Sequence, residues 1–351
     1  MASPQDLAIS PAPRVAFGTW VRLALGLLLC MAIAALAIIA AGYAPVVGAP
    51  VIAIALGVVI TNTLQGPMQI KTLRIGEVSK HCLKGGIILL GASLDLGVII
   101  RTGIESFPVL LATIAVGLCC ALVIGRSMNV HWRMRCLIGI GTTICGASAI
   151  AALAPVVRAK AEEIAYSISV IFFFNMLAVF LFPAAGHLLG LTDPGFGLWA
   201  GTAVNDTSAV VAAGFAYSPH AGTIATIVKL TRTTLIIPLV IGFGLLVPWF
   251  ESRPTQEGVS LAQRAYQAVP VFIILFVLAS LLNTLGLFGD LAPKVQLLGR
   301  WVMVVALAAV GLQGHWRAFT GAGARPLLLG LATWAAVAST SLAIQVSTHS
   351  L

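Results

Sequence analysis

The chain has 351 residues, 59% of them hydrophobic and 9% charged, with a formal net charge of +9. Water-soluble domains carry roughly 25% charged residues, so a soluble globular protein is excluded. The short alternating segments of a β-barrel are missing, and no domain-sized polar stretch could house a separate activity.

In chain order, residues 1–20 hold Pro4, Pro11, Pro13 and Arg14 and read as a polar N-terminal tail. The apolar run 21–44 is longer than a signal peptide and lacks a clear cleavage site, so it reads as a retained first span. Further apolar segments follow at about 49–64, 83–100, 106–125, 135–157, 163–190, 196–216, 220–249, 269–286, 301–313 and 326–346. Repeated apolar runs of this kind mark an all-α polytopic membrane protein. The connection "QGPMQIKTLRIGEVSKHC" (65–82) reads as a surface helix, with Ile70, Leu73 and Val78 apolar and Lys71, Arg74 and Lys80 basic.

Basic residues mark cytoplasmic loops. With the N-terminus inside, a full crossing by 135–157 would put Arg158 and Lys160 outside. It would also put the loop 186–196, which has no Lys or Arg, inside. Two re-entrant or broken elements, 135–157 and 196–216, remove that conflict. The expectation is therefore about nine crossings plus these two elements, with eleven full crossings as the alternative.

Two internal repeats are visible. "GTTICGASAIAALA" (141–154) aligns with "GTAVNDTSAVVAAG" (201–214) at an offset of 60, with Gly, Thr, Ser and two Ala identical. "PVIAIALGVVITNTL" (50–64) echoes "PVFIILFVLASLLNTL" (270–285), and "FPVLLA" (107–112) echoes "RPLLLG" (325–330). A single membrane domain over 21–346 then consists of an outer repeat, 50–126 and 270–346, around an inner repeat, 135–190 and 196–249. Inverted repeats of this kind are typical of secondary transporters.

The two central phrases suit helix breaks. Gly141, Gly146 and Gly201 permit unusual backbone angles. Thr142, Thr143, Thr202, Thr207 and Ser208 can satisfy freed backbone groups. Broken backbone at membrane depth is tolerated only inside protein or beside a water-filled cavity. Two such elements would aim helix N-termini at one point, a ready anion site, to which Ser148 and Ser208 add hydroxyls. Asp206 is a carboxylate placed where insertion costs about 2.5–3.5 kcal/mol. It reads as a proton- or cation-coupling group, as a helix cap, or as a substrate contact. Cys145 and Gly146 occupy the positions equivalent to Asn205 and Asp206.

In "IVKLTRTT" (227–234), Lys229, Arg232 and Thr233 share a helix face. The two basic residues either point into the cavity that Asp206 faces or snorkel to a membrane surface. Their counterparts in the first inner repeat are Ser169 and Phe172. Among other polar residues, Asn62 and Asn283 recur in the outer repeat and can fasten helices. Asp95 is either near an interface or functional, and Glu162 and Glu163 read as a solvated turn beside Arg158 and Lys160. The six cysteines have no metal-ligand spacing and read mostly as small core residues. No basic helix or aromatic-basic module points to nucleic acid, and no cofactor or metal site is expected.

"GTTICGASAIAALAPVVRAKAEEIAYSI" (141–168), "FGLWAGTAVNDTSAVVAAGFAYS" (196–218) with "VKLTR" (228–232), and "LKGGIILLGASLDL" (83–96) resemble the sulfate exporter family of bacterial inner-membrane proteins. The resemblance covers about residues 45–346. That family is grouped with the bile acid, arsenite and riboflavin transporter superfamily. The resemblance implies inverted repeats with broken crossing helices and a core that moves against a scaffold. The usual five-plus-five order of that superfamily differs from the nested order read here.

The expected function is secondary transport of a small anion such as sulfate or a sulfonate by alternating access, in a bacterial inner membrane. The coupling ion would be a proton or sodium, and a homodimer is compatible with the sequence. The alternatives are a proton- or sodium-coupled exchanger of a cation or neutral solute and, with no nucleophile, base or metal cluster to support it, an intramembrane enzyme. The binding candidates are Thr142, Thr143, Cys145, Ser148, Asn205, Asp206, Thr207, Ser208, Lys229 and Arg232.

Overall fold

The computed structural model of the chain describes residues 14–43, 48–63, 73–250, 271–314 and 323–348. Among these residues there is no β-strand. The helices are α1 (Arg14–Tyr43), α2 (Gly48–Thr63), α3 (Ile75–Gly91), α4 (Leu96–Ser127), α5 (Trp132–Thr143), α6 (Ala147–Leu153) and α7 (Ala161–Leu188). They continue with α8 (Asp193–Ala203), α9 (Thr207–Tyr217), α10 (Pro219–Thr234), α11 (Ile236–Phe250), α12 (Val271–Thr284), α13 (Ala292–Leu312) and α14 (Ala324–Ser347).

Among the described residues, six helices are long and apolar enough to cross a membrane, starting with Trp20–Tyr43 and Leu96–Ser127. Large apolar side chains stand exposed on them, among them Leu28, Leu36 and Ile39 of α1 and Ile104 and Val123 of α4. Such outward faces suit hydrocarbon rather than water.

Two bodies of packing are evident. In the first, α13 lies along both α3 and α2, α12 lies on α3, and α1 covers α2 and α13. In the second, α4 pairs with α14, and the two flank the broken helices. The contacts follow the order of the two repeats. The pair α2–α13 has its counterpart in α12–α3, α4–α5 in α14–α8, and α4–α10 in α14–α7.

Backbones meet directly in the first body. A Cβ on Gly57 would lie 2.7 Å from the Ala308 carbonyl, and one on Gly311 would lie 2.3 Å from that of Ile54. Only glycine allows this approach, a recurrent device where lipid supplies no hydrophobic drive. The repeated Asn-Thr ends fasten the same body. Asn62 donates to the Gly314 carbonyl at 2.7 Å, and Asn283 donates to that of Leu94 at 3.2 Å.

Several sequence expectations change here. The helix α1 begins at Arg14, inside the segment read as a polar tail, and residues 1–13 lie outside the described residues. Much of the expected surface helix 65–82 also lies outside them. From Ile75 onward the chain is a packed helix, with Ile75 and Val78 buried against α1, α2 and α13. The expected segment 83–100 is split at 92–95. Asp95 caps the start of α4, accepting from Gly97 N at 2.7 Å. Glu163 is not solvated: it is buried, its carboxylate accepts from Lys160 N at 2.8 Å to cap α7, and it meets His131 at 2.8 Å. Of the cysteines, Cys30, Cys136 and Cys145 are buried, while Cys119 is exposed.

Candidate functional site

Each central phrase is a helix with a three-residue break. The first runs from α5 through Ile144, Cys145 and Gly146 to α6, and the second from α8 through Val204, Asn205 and Asp206 to α9. The α8 segment Asp193–Ala203 has 11 residues, so at 1.5 Å per residue it reaches about 16 Å inward. That is roughly half of a 30 Å hydrocarbon layer. The two breaks touch: a Cβ on Gly146 would lie 3.6 Å from Cβ of Asp206. Gly146 has φ +69 and ψ −130, a conformation that favours glycine. Gly141 and Gly201, expected at the breaks, lie inside α5 and α8, where they serve close packing. A Cβ on Gly201 would lie 2.7 Å from Val228 of α10.

The C-terminal end of a helix leaves carbonyls without intrahelical partners and carries about half a negative charge. Two such ends, of α5 and α8, meet here. Lys229 and Arg232 of α10 satisfy them, and both side chains are fully buried. Lys229 Nζ donates to the carbonyls of Ile144 and, at 3.1 Å, of Val204. Arg232 donates through Nε to Thr143, through Nη1 to Thr202 and, at 3.1 Å, through Nη2 to Thr142. The pairs 144/204 and 142/202 are equivalent at the repeat offset of 60, so each basic side chain bridges matching points of both breaks.

The second break has a further support. Asn175 of α7 accepts through its side-chain oxygen from Asn205 N at 3.2 Å and from Asp206 N at 3.0 Å. Asp206 then caps α9, accepting from Ser208 N at 2.9 Å and from the Ser208 hydroxyl. The end of α8 is anchored to α14, where Trp334 Nε1 donates to the Ala203 carbonyl at 3.1 Å and the Thr202 hydroxyl meets that of Ser341 at 2.7 Å. Within this frame the Asn205 amide, both its oxygen and its nitrogen, and the Thr142 hydroxyl are buried without a hydrogen-bond partner. Buried polar groups are normally paired, so these three atoms are available to a ligand. Among the described residues no three His, Cys, Asp or Glu side chains converge on a point that could hold a metal.

The family model described as "Conserved hypothetical protein 698" matches residues 25–330. A UPF0324 membrane protein of Streptococcus pyogenes serotype M6 is 41% identical over 331 residues, covering 92% of this chain and 96% of the relative. UPF0324 membrane proteins of Streptococcus agalactiae serotype V and Streptococcus pneumoniae strain R6 are each 39% identical over 328 residues, covering 91% of this chain and 96% of the relative. The chain belongs to the UPF0324 membrane protein family. No solved structure matches it.

In this multi-pass UPF0324 membrane protein the ten sequence candidates gather around one crossing but in two layers. Thr142, Thr143, Cys145, Asn205, Lys229 and Arg232 are buried. Ser148 is exposed, and Asp206, Thr207 and Ser208 are partly exposed at the start of the following half-helices. The basic pair neither points into an open cavity nor snorkels outward. Among the described residues no ion pair joins Asp206 to Lys229 or Arg232, because backbone carbonyls take their donors. The expected pair of free N-termini is also altered: Asp206 caps α9, and α6 has only 7 residues. Asn175, which holds the backbone of the second break, is not among the sequence candidates. An asparagine inside "FFFNMLAVF" was the signal, since polar side chains in apolar helices mark interhelical hydrogen bonds.

Proposed function

We propose that this protein is a secondary transporter of a small inorganic or organic anion, such as sulfate or a sulfonate, working by alternating access. One observation carries the reading. The crossing of two broken helices holds two buried basic side chains and a single carboxylate, Asp206, together with an unpartnered amide and hydroxyl. Each break brings one negative and one positive helix end, which roughly offset each other. The balance left by the side chains is basic, and at membrane depth an anion bound there compensates it.

Broken helices that meet at a crossing are the recurrent binding architecture of such carriers. The resemblance of the central phrases to the sulfate exporter family supports the same substrate class. Asn205 and Thr142 would hold the anion's oxygens, and Ser148, Thr207 and Ser208 would line its approach. Asp206 would couple anion movement to a proton. The reading is of a carrier, not an enzyme.

The test is uptake of labelled sulfate and small sulfonates into proteoliposomes. Accumulation that Asn205→Ala reduces supports the proposal. A folded protein that moves no anion in the panel refutes it.

A further inference from the structure

The carbonyls at the crossing are arranged as ligands for a cation. In membrane carriers, the C-terminal ends of half-helices and unwound carbonyls are the groups that coordinate sodium. Here the Ile144 and Val204 carbonyls, one from each break, converge on Lys229 Nζ. The Thr142, Thr143 and Thr202 carbonyls converge on the Arg232 guanidinium. Both side chains have no exposed surface. The same segments also carry oxygens that neither basic group uses, the Thr142 hydroxyl and the Asn205 amide oxygen, both buried and unpartnered. Carbonyl, amide and hydroxyl oxygens are the hard donors that small hard cations prefer. The first inner repeat offers no second basic pair, since its equivalent positions are Ser169 and Phe172.

We infer that the crossing is a monovalent-cation site whose resident cation is covalently attached: the Lys229 amino group occupies the place a sodium ion would take between the two breaks. The wild-type protein therefore needs no sodium at this point. Removing the Lys229 side chain opens a site that a sodium ion or a small primary ammonium ion can fill. The inference bears on what drives the proposed transport but does not depend on it, because stability reads the site whether or not any anion is carried.

The experiment is thermal unfolding of the purified full-length protein in choline chloride, sodium chloride and methylammonium chloride at equal ionic strength. The wild type is expected to unfold at the same temperature in all three. Lys229→Ala is expected to unfold at a lower temperature in choline and to recover, saturably, in methylammonium or sodium. Mass action requires such a shift for any ligand of the folded state. A saturable sodium-specific shift in the wild type overturns the inference, as does Lys229→Ala responding to neither ion more than to choline. If Lys229→Ala does not survive purification, Lys229→Ser is expected to show the same recovery, and the wild-type comparison stands independently.

Discussion

Arg232→Met is the sharpest test of what holds the crossing together. Methionine keeps an unbranched apolar stem and removes every donor. The carbonyls of Thr142, Thr143 and Thr202 then lose their partner in a place with no exposed surface. Interhelical hydrogen bonds in membrane proteins average about 0.6 kcal/mol and reach about 1.7 kcal/mol. Three of them give about 2–5 kcal/mol, and at about 1.4 kcal/mol per tenfold even the lower figure raises the unfolded fraction roughly thirtyfold. Arg232→Lys retains a basic group but not the planar fork, so it should fall between the wild type and Arg232→Met. Unfolding in mixed micelles, titrated with a denaturing detergent and followed by tryptophan fluorescence, measures this. Trp334, bonded to the Ala203 carbonyl one residue before the break, is a native probe. An Arg232→Met protein within about 0.5 kcal/mol of the wild type, the range of an inconsequential substitution, would refute the clamp.

Other substitutions separate the remaining roles. Asn175→Leu should destabilise the second break by leaving the Asn205 and Asp206 amides unpaired, at about 1–3 kcal/mol per buried group; Asn175→Asp, which keeps an acceptor, should cost less in the same unfolding titration. Gly146→Ala forces a side chain onto φ +69 and should cost about 1–3 kcal/mol; an unchanged midpoint would show that the break relaxes freely. Asp206→Asn keeps an oxygen to cap α9 and should leave the fold intact while abolishing pH-gradient-driven uptake in proteoliposomes; undiminished drive would remove Asp206 from the coupling step. Gly57→Leu should separate α2 from α13, where the added carbons would meet backbone, and lower the yield of folded protein on size-exclusion chromatography.

The sequence located most apolar segments and both breaks, because glycine, threonine and an intramembrane aspartate are local signals with local consequences. It failed where the deciding partner was distant or was backbone. Lys229 and Arg232 stood out as costly charges, but their partners are carbonyls 25 to 90 positions away, and carbonyls leave no trace in composition. The partners of Asn175 are hidden for a similar reason, since its bonds go to backbone amides of another element. The end of α3 is hidden because apolar runs on both sides of Ala92-Ser93-Leu94-Asp95 merge into one segment, although Asp95 before Leu96 is a visible cap signal. Glu163 reads as part of a solvated turn in the sequence because its capping of α7 depends on where the helix starts.

The clamp is contributed by α10 alone, while the carbonyls it grips come from both inner repeats. Two chemically identical halves would make the inward-open and outward-open forms equivalent by a two-fold rotation about an axis in the membrane plane, and equal in energy. With the grip anchored in one half, that degeneracy is lifted. Under the proposed function, the empty carrier therefore has a preferred resting side, set by two residues one helical turn apart, Lys229 and Arg232.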